Sequence, residues 1–327
     1  MRALRVRSLT GPSAVHVDEV AEPPRPHGDA VRIAVHAAGI GFVDTLVSRG
    51  KYQVRQEPPY TPGMEVSGVV VEVSVSSESH EHGSSALSVG QSVTASVPVG
   101  GCAETVWAAS HLVAPLADGL THADGSGMVV NYHTAVVALT RRAVLQAGET
   151  VLVHGAGGGL GSACVQVAHA FGARVIAVAG SADRRELARS AGADEVHGAD
   201  DWFDAVRAQG GADVIVDPVG GDVFDQSVRC IAPEGRLLTV GYTSGRIPTA
   251  PANRLLLRNA CVLGVNWLAL LESDHGLFRR TAQQLAELIG AGMRPIPPVR
   301  YQLADAAAAF RDLEERRIAG KAVVLVR

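Results

Sequence analysis

No apolar run in the 327 residues reaches the roughly 20 needed to cross a bilayer as a helix. The N-terminus, MRALRVRSLTG, lacks an apolar core ahead of a cleavage site, so no secretory signal is read there. Basic residues are not in excess. Lys+Arg 29 against Asp+Glu 33 gives a net charge of −4 with no basic stripe, which argues against a nucleic-acid partner. Metal-ligand spacings such as CxxC and HExxH are missing. The four cysteines, Cys102, Cys164, Cys230 and Cys261, are scattered. A chain of this size does not need disulfide staples, so they are expected to be reduced and the protein cytoplasmic. No internal repeat is found.

What is present suits two globular domains, with 47% apolar and 19% charged residues. Val31, Ile33 and Val35 alternate with polar neighbours and predict a half-buried strand. Residues 66–73 and 92–97 read as further strands, and the Ser-rich stretch 74–88 between them reads as an exposed loop. From about residue 125 the pattern changes. A helix is expected over 127–139, followed by a strand at 151–153 and a helix at 160–171. Strands at 174–179, 213–217 and 236–241 then alternate with helices at 183–191 and 222–231, and a strand follows at 260–265. Such alternation, with nearly continuous apolar strands, predicts βαβ units and a parallel sheet. Helices at 277–289 and 304–316 and a strand at 322–326 complete the chain. The fold class is α/β: a mostly β domain plus a doubly wound parallel-sheet domain.

Segment 151–162, VLVHGAGGGLGS, carries the chemistry. A strand runs through His154 into glycines, and helical spacing begins near Gly159. Glycines let a backbone approach a pyrophosphate, and a helix N-terminus offers unpaired N–H groups with a favourable dipole. The strict G-x-G-x-x-G spacing fails, because counting from Gly155 it ends at Leu160. The A-x-G-x-x-G variant fits at Ala156, Gly158 and Gly161. A tight packing turn is the competing reading, but the strand before, helix after and strand beyond favour a dinucleotide.

An NAD site expects Asp or Glu at the end of the second strand. Here that strand runs out as Val178-Ala179-Gly180-Ser181, and Asp183, Arg184 and Arg185 follow. A 2′-phosphate is repelled by an acid and welcomed by hydroxyl and guanidinium donors. NADPH is therefore expected over NADH, with Gly180, Ser181 and Arg184 in contact. A solvated surface charge is the alternative for both arginines, the more so for Arg185. Ligands lie beyond the carboxyl ends of parallel strands, which adds Gly241, Tyr242, Val265, Asn266 and Trp267 as cofactor contacts. Core packing is the alternative for Trp267.

With YTPGMEVSG at 60–68, NYHTA at 131–135, DPVGG at 217–221 and GRLLTVG at 235–241, the chain resembles the zinc-independent quinone oxidoreductases. These belong to the medium-chain dehydrogenase/reductase superfamily, and the group includes zeta-crystallin. The resemblance covers nearly the whole chain. It implies a GroES-like β-barrel domain on the substrate side in 1–125, a Rossmann NADPH-binding domain in 126–264, and a tail, 265–327, that returns to the first domain. It places Asn131 and Thr134 near the nicotinamide, with ordinary helix hydrogen bonds as the alternative. Tyr52 falls beside the substrate cleft, as catalytic hydrogen-bond donor or as a packing residue. Asp44 is expected to fix its loop through backbone hydrogen bonds. Lys321 matches a position that reaches the cofactor phosphates, with a solvent-facing lysine as the alternative. Gly41 and Met64 stand where zinc-dependent relatives carry Cys and His, so no zinc is expected. His80 and His82 are read as part of a solvated loop. Relatives commonly have Asn in place of Gly41, and often a tyrosine within 192–199, where this chain has none.

Without zinc, alcohol oxidation would lack the Lewis acid that stabilises an alkoxide. Quinones and conjugated enones are already electrophilic and need chiefly to be held against the nicotinamide. The resemblance thus implies NADPH-dependent reduction of a quinone or an α,β-unsaturated carbonyl. An enoyl-thioester reductase and a non-catalytic NADPH-binding protein are the alternatives. A homodimer formed through the edge strand at 260–265 is expected.

Overall fold

The computed structural model describes residues 1–53, 55–74 and 87–327. Val54 and most of the Ser-rich segment, His80 and His82 included, lie outside the described residues. The chain groups into two compact units. One comprises Met1–Val130, Asp274–Ala286 and Pro297–Arg327, and the other Asn131–Ser273 and Glu287–Ile296.

The first unit is built on antiparallel pairing. Strands β1 (Arg2–Val6) and β2 (Val15–Glu19) form a two-stranded ribbon. The long β3 (Ala30–Ile40) leads to helix α1 (Phe42–Ser48), then to β4 (Glu65–Ser74), β5 (Ser92–Ser96), β6 (Thr105–Ala109) and β7 (Val113–Pro115). Strand β3 pairs with β4 along its length and with β6 at its start. The half-burial expected for β3 is corrected: Arg32 and His36 alone are partly exposed along it. Val31, Ile33 and Val35 enter the main core with Phe310 and Leu4. Ala37 is covered on its own side by Ala123 and Val323.

Helix α2 (His122–Val136) starts five residues before the expected position. Thr121 and Asp124 cap it reciprocally: the Thr121 N–H donates to Asp124 Oδ2 at 3.1 Å, and the Asp124 N–H to Thr121 Oγ1 at 3.2 Å. Its C-terminal end passes into a wider π-type turn at Val137–Arg142.

The second unit alternates as the periodicity predicts. Its elements are β8 (Thr150–His154), α3 (Gly159–Ala170), β9 (Arg174–Val178), α4 (Ala182–Ser190), β10 (Glu195–His197), α5 (Trp202–Ala208), β11 (Ala212–Asp217), α6 (Gly221–Cys230), β12 (Ile231–Thr239), α7 (Ala252–Arg258), β13 (Cys261–Gly264) and α8 (Trp267–Ser273). All six strands are parallel, in the order β10-β9-β8-β11-β12-β13. The chain therefore enters at the centre and winds outwards in both directions, leaving a switch point beside β8. Strand β12 begins five residues before the sequence pattern suggests, at Ile231, and Pro233 lies within it. Helix α9 (Leu277–Gly290), β14 (Val299–Gln302), α10 (Ala306–Glu314) and β15 (Ala322–Leu325) complete the chain, and β15 pairs with both β14 and β3.

His154 ends β8 inside the second core. Trp202 approaches its ring edge-on at 4.6 Å. The Ser227 hydroxyl donates to the Val223 carbonyl at 2.7 Å, so it accepts from His154 Nε2 at 2.8 Å. Burial pushes His154 and the buried His133 down to about 3, from an ordinary 6.5. Below pH 6.5 the unfolded chain takes up protons that the fold refuses. Stability is therefore whole above that pH and falls as pH drops towards 3, with a slope of about 1.4 kcal/mol per pH unit for each histidine. Urea midpoints should decline from about pH 7 to about pH 5, and His154→Gln should make the decline shallower by one proton. An identical slope in the variant would contradict a neutral buried His154.

Candidate active site

The carboxyl ends of the parallel strands define one edge of the second unit's sheet, and most of the sequence-predicted cofactor residues lie along it. After His154 the chain turns at Gly155, whose φ is 61°. The Gly158 N–H donates to the Gly155 carbonyl at 2.9 Å, and the Ala156 N–H to the Val178 carbonyl of β9 at 3.0 Å. Gly158 is the N-cap of α3 and no side chain caps the helix, so first-turn N–H groups point outward without a side-chain partner. A Cβ on Gly161 would lie 2.2 Å from the Gly155 oxygen, and one on Gly157 would lie 2.3 Å from Arg184 Cβ. Gly157 and Gly155 are site residues that the motif spacing did not single out. Ala156 is fully buried, whereas Gly159 and Leu160 are half-buried at the helix start.

At the end of β9, Gly180 and Ser181 are exposed. Ser181 caps α4 by accepting from the Arg184 N–H at 3.4 Å. Arg185, for which a solvated charge carried more weight, is instead half-buried and turns back to donate to the Gly180 carbonyl at 3.1 Å. Both arginines therefore flank a strand end that carries no carboxylate. Gly157 fits closely against the first of them.

On the far side of β8, Asp217 is fully buried at the end of β11. Its Oδ1 accepts from the N–H groups of Val219 at 2.7 Å and Gly220 at 2.9 Å. Burial raises its pKa. The next loop is laced to this turn: Thr243 N–H donates to the Pro218 carbonyl at 3.1 Å and Ser244 N–H to that of Val219 at 3.0 Å. This fixes Gly241 and the exposed Tyr242 at the same edge. Beyond β13, Val265 is buried and Asn266 Oδ1 accepts from the Ala269 N–H at 3.2 Å. Trp267 is buried and edge-on to His133 at 5.7 Å.

Asn131 and Thr134 lie on α2, half-buried and buried, not at a strand end. Between them Tyr132 donates to Gln166 of α3 and accepts from the Ile296 N–H at 3.2 Å. It is a locating residue that sequence reasoning missed.

Tyr52 and Lys321 belong to the first unit. Tyr52 lines a mostly apolar pocket there with Asp44, Gln56, Tyr60 and Met64. Asp44 is buried and accepts from the N–H groups of Gly41 at 2.8 Å and Gly63 at 3.2 Å, which is the loop-fixing role expected of it. Burial pushes its carboxyl up to about 6. The solvent-facing alternative for Lys321 is corrected: the residue is 9% exposed and its ammonium pairs with Glu65. Glu65 Oε2 also accepts from the Val130 N–H at 2.7 Å. Gly41 and Met64 offer neither thiolate nor imidazole. Among the described residues no three His, Cys, Asp or Glu side chains converge as a metal site.

The profile described as "Alcohol dehydrogenase GroES-like domain" matches residues 27–145, and "Zinc-binding dehydrogenase" matches 159–289. A GroES-like unit combined with this doubly wound unit defines a medium-chain dehydrogenase/reductase. Quinone oxidoreductase-like protein 2 of Rattus norvegicus is 34% identical, over 94% of this chain and 88% of its own length. The quinone oxidoreductase of Sus scrofa is 33% identical, over 100% and 98%. The quinone oxidoreductase of Thermus thermophilus, whose crystal structures include a complex with NADPH, is 35% identical with a TM-score of 0.83, and 100% of each chain is covered. The chain belongs to the zinc-independent quinone oxidoreductase family of that superfamily.

The close contact at Gly161 is testable. Gly161→Ala puts a methyl group against a backbone oxygen that has little room to move, so it should cost on the order of 1–3 kcal/mol. A lower melting temperature is expected, together with loss of the thermal shift on adding NADPH. A variant that melts like the parent would contradict this packing.

Proposed function

We propose that this chain is a cytoplasmic, NADPH-dependent reductase that passes hydride to a quinone or to the β-carbon of an α,β-unsaturated carbonyl. The observation that carries the reading is the end of β9, where Ser181, Arg184 and Arg185 stand in place of a carboxylate, next to the glycine cradle. The cradle suits a dinucleotide, because Gly157 and Gly161 lack room for a Cβ and α3 has no side-chain cap. Ala156, Gly158, Gly159, Leu160 and Gly161 hold the pyrophosphate, and Gly180, Ser181 and Arg184 read the 2′-phosphate. The Ser181 oxygen accepts the helix N–H, which leaves its own proton to donate. Gly241, Tyr242, Val265, Asn266 and Trp267 flank the nicotinamide half, with Asn131 and Thr134. When bound, NADPH supplies the hydride. Tyr52 donates a hydrogen bond to the acceptor oxygen, on which charge develops.

Charge-assisted hydrogen bonds contribute about 1.5–3 kcal/mol. Arg184→Ala should therefore weaken NADPH by roughly ten- to hundredfold and leave NADH nearly unchanged. Fluorescence titration reads both, and unchanged NADPH affinity would reject the assignment. NADPH oxidation across quinones, small enones and enoyl thioesters sorts the acceptor classes. Tight binding without oxidation of NADPH by any of them would mark a binding protein instead.

We also infer a homodimer. Strand β13 is the last in its sheet and its outer edge is unpaired among the described residues. Helix α7, just before it in the chain, exposes Leu256 and Leu257. Such an edge is a liability unless covered. Light scattering at micromolar concentration should give twice the 34.0 kDa chain mass. A monomer there removes the inference.

A further inference from the structure

Lysine is nearly missing from this chain: Lys51 and Lys321 are the two it has. Lys321 is the buried one, at 9% exposure. An ammonium carries three donors, and among the described residues Lys321 has one direct contact with an acceptor, the ion pair with Glu65. Buried donors without acceptors are costly, so such a group points to something that arrives.

The residue facing this ammonium is Gly41. Its φ of −141° and ψ of −177° are extended values open to any amino acid, so the backbone does not require glycine there. Packing does not require it either. A Cβ built on Gly41 meets one described atom within 4 Å, Lys321 Nζ at 3.4 Å. The missing side chain thus leaves a gap with an ammonium as its wall. The backbone N–H of Gly41 is held by Asp44, which also lines the pocket containing Tyr52. The gap and the pocket therefore share a residue.

The charges around it define the ligand. The ammonium pairs with Glu65 and also acts on the Asp44 carboxylate through its charge, so the three ionised groups sum to −1, which does not invite a full anion. A neutral oxygen acceptor, such as a ketone or quinone carbonyl, meets no such repulsion.

We propose that the gap beside Gly41 is a subsite for the acceptor's carbonyl oxygen, with the Lys321 ammonium as hydrogen-bond donor. The proposal rests on the reductase reading above and deepens it. A carbonyl oxygen has two lone pairs, so this donor adds to Tyr52 without displacing it. The bond strengthens as negative charge develops on the oxygen, which makes Lys321 a catalytic residue and Gly41 a specificity-determining one.

Gly41→Ala tests this without leaving Glu65 unpaired, because the added methyl covers the ammonium and the backbone accepts it. The KM for cyclohexenone should rise about tenfold, while the NADPH dissociation constant, read by fluorescence, holds. Lysine labelled with ¹³C at Cε gives two signals, and Lys51→Arg identifies that of Lys321. In the presence of NADP+, the saturated ketone cyclohexanone should shift the Lys321 signal in the parent and not in Gly41→Ala. If Gly41→Ala weakens NADPH and leaves the acceptor KM alone, the ammonium serves the nucleotide phosphates and the proposal is overturned. If neither constant moves and the signal stays put, the lysine only balances Glu65, and the proposal is equally overturned. The ketone titration needs no turnover. A protein that oxidises no NADPH would sink the reductase reading, and the ketone titration would still decide the subsite.

Discussion

The α-carbon of Gly161 lies so close to the Gly155 carbonyl that a methyl group there would sit 2.2 Å from the oxygen. Much of the second unit's edge is arranged around that approach. It lets the first turn of α3 fold over the end of β8, so the helix N-terminus opens beside the strand that carries His154. The loop has little freedom left: Gly158 closes on Gly155, Ala156 is bonded to β9, and Gly157 is packed against α4. Backbone groups, not side chains, therefore present the donors. They are pre-arranged because glycine and alanine leave nothing to rearrange.

The first unit meets a different demand, keeping ionisable groups inside a curled antiparallel sheet. Each is matched locally. Asp44 takes two backbone N–H groups and so joins the start of α1 to the turn before β4. Glu65 takes the Lys321 ammonium and a backbone N–H of α2. Burying an isolated charge would be prohibitive, and these pairings are what make the cluster tolerable.

Much of this was legible in the sequence. The parallel strands were readable because both faces are covered, and each therefore appears as a short apolar run between turn residues. The glycine cradle was readable as a cradle, but the roles within GAGGG were not. Which glycine must be small depends on where Arg184 packs, and that contact comes from another helix. The start of α2 was missed because residues 122–127, HADGSG, carry no apolar period. The Thr121/Asp124 pair was the signal that could have found it. Lys321 reads as a surface residue by composition, since lysine is rarely buried. Its partner Glu65 lies in a distant part of the chain, and the pairing of both β15 and β4 with β3 brings the two together. Arg185 belongs to the same class, because a bond to the Gly180 carbonyl leaves no periodicity to read.

The bond from the Ala156 N–H to the Val178 carbonyl has a wider consequence. It clamps the loop to the neighbouring strand, so the spacing between the helix mouth and residues 180–185 is a fixed ruler set by the ladder of β8 against β9. The mouth of α3 and the end of β9 thus belong to one rigid frame. Exchanging side chains at 180–185 can change what that end presents without disturbing the glycine loop, which makes it an independently evolvable module.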